Sequence, residues 1–123
     1  MKQRVLIVDD DPGFRELLRF EIEYHGFECM LAGTVEEGLM LLEAFEPEVI
    51  ILDLAFEGNN GLDFLQCYTM KYEGDGLRPK LYVVSSETDR DLIGRVLQTG
   101  ADEFIPKLDR SNQIMQRILS FST

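Results

Sequence analysis

The sequence predicts an α/β fold of five (βα) units: a parallel sheet with helices on both faces. Three observations predict it. Short apolar runs alternate with amphipathic stretches along the whole chain. Three of the five strand-like runs are apolar throughout, as strands buried on both faces read. The stretches between them carry helix start and stop signals, and right-handed crossovers then place helices on either side of one sheet.

The first run, Val5-Leu6-Ile7-Val8, is rich in β-branched residues and ends in Asp9-Asp10-Asp11. Asp11-Pro12 reads as an N-cap followed by proline at the first helical position, with Phe14, Leu17, Leu18 and Ile22 at helical spacing as core. His25 stands alone near that helix end, in a surface or capping role. A weaker strand spans 27–32. Thr34-Val35-Glu36-Glu37 is a capping box, followed by the apolar positions Leu39, Leu42 and Phe45. The third run, Val49-Ile50-Ile51-Leu52, ends in Asp53, and Asn60 caps a helix carrying Leu62, Leu65 and Tyr68. The polar stretch 73–79 is a surface loop, too short for an interdomain linker. Leu81-Tyr82-Val83-Val84 ends in Ser85 and Ser86. Thr88 then caps a helix with Leu92, Ile93, Val96 and Leu97, and Gly100 stands at the C-cap glycine position. Glu103-Phe104-Ile105 is the fifth strand, ending near Lys107, and a last helix spans 111–121.

A chain of 123 residues fits one domain and buries a core without staples. A net charge of −11 argues against nucleic-acid binding by this chain and against an anionic membrane surface. Cys29 and Cys67 form no CxxC pair and read as reduced, buried thiols. No apolar run is long enough to cross a membrane, and the start lacks the apolar region of a signal peptide. These features point to a cytoplasmic protein.

Ligands of an open parallel sheet bind at the carboxyl ends of its strands. Those ends hold Asp9-Asp10-Asp11, Asp53, Ser85 and Lys107. Like charges at about 4 Å repel by roughly 1 kcal/mol in water and about 4 kcal/mol near a protein surface. Converging carboxylates therefore need a proton or a cation, and hard oxygen ligands with room for water and phosphate suit Mg²⁺. Metal, lysine and hydroxyl around one free carboxylate suit phosphoryl transfer, whose transition state spreads charge over three oxygens.

The pieces Val5-Leu6-Ile7-Val8-Asp9-Asp10-Asp11-Pro12, Ile50-Ile51-Leu52-Asp53-Leu54 with Asn60-Gly61, Val83-Val84-Ser85 and Gly100-Ala101-Asp102-Glu103-Phe104-Ile105-Pro106-Lys107 carry a resemblance. In this order and spacing the chain resembles bacterial response-regulator receiver domains over essentially its whole length, 1–123. The resemblance implies a doubly wound, flavodoxin-like fold with strand order 2-1-3-4-5. It implies Asp53 as phosphoacceptor and Mg²⁺ or Mn²⁺ as cofactor. Asp10 would ligate the metal directly, Asp9 largely through water, with Asp53 and the backbone carbonyl of Ala55 as further ligands. Ser85 and Lys107 would bind the phosphoryl group, and Phe104 matches the aromatic that turns with the switch. The implied partners are a sensor histidine kinase or phosphotransfer protein and a downstream protein or output domain. The surface of the fourth helix, fifth strand and fifth helix would change on phosphorylation and is a candidate homodimer face. The resemblance implies a regulatory phosphoacceptor that assists its own phosphorylation and dephosphorylation, rather than an enzyme.

The chain departs from that pattern in places. Glu57 stands where the family usually has proline, and Phe56 where it often has methionine. Leu108 follows Lys107 where proline is usual, so a trans Lys107–Leu108 peptide is expected, because a cis bond there costs roughly 2.5–4 kcal/mol. Ser86 replaces a smaller residue, and Ala55 and Glu87 sit where phosphate lifetime is set. The loss of both prolines, with Glu57 in place of one and Leu108 in place of the other, motivates one alternative, a phosphorylation-independent interaction module of the same fold. An aspartyl phosphatase is disfavoured because Ala55 stands where such enzymes carry a second acid. A flavodoxin-type carrier is disfavoured because Asp9-Asp10-Asp11 repels a flavin phosphate.

Overall fold

The structure, a computed structural model, describes residues 3–54, 61–74, 76–86, 90–107 and 116–117. The described elements run β1 (Arg4–Val8), α1 (Pro12–Tyr24), β2 (Glu28–Ala32), α2 (Val35–Phe45), β3 (Val49–Asp53), α3 (Gly61–Lys71), β4 (Lys80–Ser85), α4 (Arg90–Thr99) and β5 (Glu103–Pro106). The strands pair in parallel in the order β2-β1-β3-β4-β5. This is the expected doubly wound topology, with β1 and β3 adjacent.

Alternation along the strands divides the core in two. Leu6, Val8, Ile50, Leu52, Leu81 and Val83 face one side, where Leu42, Phe64, Tyr68 and Val96 cover them. Val5, Ile7, Val49, Ile51, Tyr82 and Val84 face the other, covered by Leu18 and Ile22 of α1. Both faces are covered, which is why residues 5–8, 49–52 and 81–84 of β1, β3 and β4 are apolar throughout.

Local signals act largely as read. The Asp11 carboxylate accepts from the N–H groups of Gly13 and Phe14, and His25 is the exposed C-cap of α1. Thr34 Oγ1 accepts from Glu37 N, but the Glu37 carboxylate reaches back one residue further than in a standard box, to Gly33 N. Gly100 has φ of 135°, a conformation that strains any side-chain-bearing residue.

Four expectations need correction. Phe27 is buried but lies outside β2, because its N–H closes the end of α1 on Ile22 O. Leu17 is half exposed: α1 seats on the sheet through Leu18 and Ile22, and Leu17 turns away from that contact. Leu97 of α4 is likewise exposed, since Val96 is that helix's buried side chain. Cys67 lies on the solvent side of α3, whereas Cys29 is half-buried on β2, where burial pushes its thiol up to about 12. The caps expected at Asn60 and Thr88, the Lys107–Leu108 peptide, and Ala55, Phe56, Glu57 and Glu87 lie outside the described residues. Of the last expected helix only 116–117 are described, and both are helical.

At the amino rim of the sheet, Arg78 makes two bonds to the Asp102 carboxylate, at 2.7 and 3.0 Å. Asp102 also accepts the N–H of Leu81, and the Tyr68 hydroxyl donates to Pro79 O. These bonds tie the 76–79 segment to the starts of β4 and β5.

Candidate functional site

The carboxyl rim of the sheet gathers the predicted acids. Asp9 follows the last residue of β1, and Asp53 is the last residue of β3. Val8 lies opposite Leu52 in the β1–β3 register, so the two acids leave neighbouring strands at nearly one level. Carboxylate oxygens of Asp9, Asp10 and Asp53 all lie within 4.8 Å of one another. Asp9 and Asp53 are almost wholly buried and Asp10 is half-buried, so the cluster opens to solvent on the Asp10 side.

Lys107, one residue beyond β5, reaches back across the rim. Its Nζ lies 3.1 Å from Asp9 Oδ2 and 3.3 Å from Asp53 Oδ2. Ser85 ends β4 and is fully buried, paired in register with Pro106. Phe104 is half-buried within β5, beside Val83 and against the α3–α4 side of the core. Asp9, Asp10, Asp53, Ser85 and Lys107 thus lie at or just beyond adjacent strand ends, with Asp9, Asp10, Asp53 and Lys107 in direct proximity, while Phe104 lies within β5 and Ala55 lies outside the described residues.

Burial dominates the electrostatics of Asp9. Loss of hydration pushes its pKa up to about 6, and Asp53 adds repulsion. The N–H of Asp11 at 2.8 Å and the Lys107 ammonium offset only part of that. Burial also works against the Lys107 ammonium, yet its contacts with Asp9 and Asp53 prevail and hold its pKa above the usual lysine value. One ammonium cannot neutralise three carboxylates. An all-oxygen donor set with that deficit suits a hard divalent cation.

Two supporting residues escaped the sequence reading. Arg15 Nη1 donates to the backbone carbonyl of Asp9 at 2.7 Å, fixing the strand end that carries the acid. The Phe14 ring lies under the Lys107 ammonium, 4.5 Å from Nζ to the centroid. Their signal was positional: both lie in the first turn after Asp11, and a helix capped there must start over the end of β1. Gly61 opens α3 against the backbone of β3. A Cβ there would fall 2.7 Å from the Asp53 carbonyl oxygen, so only glycine permits the approach.

Comparison with known proteins agrees with this fold. The family model described as response regulator receiver domain matches residues 5–119. The DNA-binding response regulator MtrA of Mycolicibacterium smegmatis is 27% identical over 118 residues, covering 96% of this chain and 50% of its own length. The response regulator MprA of Mycolicibacterium vanbaalenii is 30% identical, with coverage of 96% and 49%. The chain therefore spans about half the length of the curated relatives it matches. Among solved structures, a CheY-like response regulator receiver domain protein from Methanospirillum hungatei superposes with a TM-score of 0.88 at 24% identity, covering 98% of this chain and 93% of that one. Among the described residues, no helix is long and apolar enough to cross a membrane.

Proposed function

The chain belongs to the response regulator receiver domain family of two-component systems, and from that premise we propose that Asp53 accepts a phosphoryl group from a sensor histidine kinase or phosphotransfer protein. The observation that carries this reading is the Lys107 ammonium, 3.1 and 3.3 Å from two buried carboxylates that share a rim with a third. The reading treats 1–123 as one receiver unit working in the cytoplasm.

Asp10, Asp53 and the backbone carbonyl of Ala55 would hold Mg²⁺ or Mn²⁺ directly, with Asp9 largely through water. When bound, the ion offsets the charge that develops on the transferring phosphoryl oxygens. In the transfer, an Asp53 carboxylate oxygen bonds to phosphorus as the donor's bond to phosphorus breaks, and the leaving group departs with that electron pair. The product is an acyl phosphate. Lys107 steadies the Asp53 carboxylate beforehand and the phosphoryl oxygens afterwards, and the Ser85 hydroxyl donates to one of those oxygens. Drawing Ser85 and Lys107 toward the phosphate makes room for Phe104 to turn inward. The surface of α4, β5 and the following helix then changes for a partner to read. Moving such a switch from 1:99 to 99:1 takes about 5.5 kcal/mol of differential stabilisation, within reach of a few charge-assisted bonds.

Incubation with radiolabelled acetyl phosphate tests the assignment. Label is expected on the wild type with Mg²⁺, and none with a chelator or in Asp53→Asn. Label retained by Asp53→Asn would overturn it. Beryllofluoride with Mg²⁺ separates the phosphorylation-independent module that Glu57 and Leu108 suggest: that module would show no response.

A further inference from the structure

Lys107 carries its charge on a flexible four-carbon stem, and the distances at its tip leave little slack. Two sides of the ammonium meet Asp9 and Asp53. A third meets the face of Phe14, with Nζ 4.5 Å from the ring centroid, well inside the roughly 6 Å range of a cation–π contact. The lysine side chain is only 19% exposed, so water competes weakly for this contact.

The ring is itself held in place. Phe14 N donates to the Asp11 carboxylate at 3.3 Å, and Asp11 N donates to the Asp9 carboxylate at 2.8 Å. The backbone that sets the ring is thus fastened to one of the acids that Lys107 pairs with. Beyond the site, Phe14 packs on the Leu18–Ile22 side of the core. An aromatic face attracts a cation without adding negative charge and without accepting one of its protons strongly. A leucine at this position would supply apolar volume alone.

We propose that Phe14 is a positioning residue whose ring face holds the Lys107 ammonium between Asp9 and Asp53, so that it is already placed when the phosphoryl group arrives. The proposal rests on the reading of Asp53 as phosphoacceptor. It assigns Phe14, which the helical pattern marks only as core, a part in the rate of phosphoryl uptake.

The test compares Phe14→Leu, Phe14→Tyr and Phe14→Trp with the wild type in two measurements. In the first, uptake of label from acetyl phosphate with Mg²⁺ slows about three- to tenfold in Phe14→Leu, the range a partly desolvated cation–π contact supports, and stays near wild type in the two aromatic variants. In the second, NMR of lysine-labelled, metal-free protein shows the Lys107 Hε protons shifted upfield by the ring in the wild type and Phe14→Tyr, and returned toward the ordinary lysine position in Phe14→Leu. Thermal unfolding accompanies both, because a purely structural role would slow uptake only in proportion to lost fold. Phe14→Leu keeping pace with the wild type, or Phe14→Tyr and Phe14→Trp slowing as much as Phe14→Leu, overturns the positioning role alone. A wild type that takes no label overturns the phosphoacceptor reading, and the positioning role with it.

Discussion

Asp9 sits almost wholly out of water, with Asp53 beside it and one ammonium shared between the two. Burial raises its pKa from the usual carboxylate value to about 6. The sign of the linkage follows. Below about pH 4 the group is protonated in folded and unfolded chains alike and costs nothing. As the pH rises from about 4 to about 6, the unfolded chain releases this proton while the folded one retains it, so stability is lost across that window and the loss is complete above it. Asp9→Asn should therefore stabilise the metal-free protein at pH 7.5 by about 1–3 kcal/mol, with the difference shrinking toward pH 4. Urea unfolding across that range, with chelator present, measures it, and an Asp9→Asn variant less stable than wild type at pH 7.5 would refute it. The same residues show what sequence can and cannot convey. Asp9, Asp10, Asp53 and Lys107 were legible because each stands at the end of an apolar run, and parallel strands bring such ends together. Phe14 and Arg15 were missed, since a helical stripe gives the face a residue occupies but not how far a first-turn side chain reaches across the rim.

At the level of elements, α4 is the most lightly anchored helix of the described set, with Val96 as its buried side chain. Gly94 lies in its interior, and a Cβ there would meet nothing within 4 Å. Interior glycine costs a helix roughly 0.5–1 kcal/mol relative to alanine. Gly94→Ala should raise the unfolding free energy by about that amount, read as a higher urea midpoint at unchanged slope, and a lower midpoint would show that the position serves a contact or bend. Helix starts were legible from Asp11-Pro12 and Thr34, whose side chains cap as their chemistry requires. Helix ends were less so. α2 stops at Glu46 in the left-handed region, φ 51°, with no glycine to announce it. The following Pro47 was the available cue, because proline disfavours a helical conformation in the residue before it.

At the level of the molecule, one sheet separates two apolar layers, and neighbouring residues of one strand belong to different layers. Ile50 faces the α2–α3 side and Ile51 the α1 side. Truncating either to alanine should cost roughly 2–5 kcal/mol. Since both layers share every strand of the sheet, each variant should lower a single unfolding transition seen alike by circular dichroism and tyrosine fluorescence; two separated transitions would show that the layers melt independently. The Arg78–Asp102 clamp sits at the far rim from the acids, at the start of a β4 that runs six residues to Ser85. One end of that strand is moored by a guanidinium fork while the other ends beside the ionic cluster. The contribution of that mooring to heat resistance is thereby held a full strand's length away from the acids.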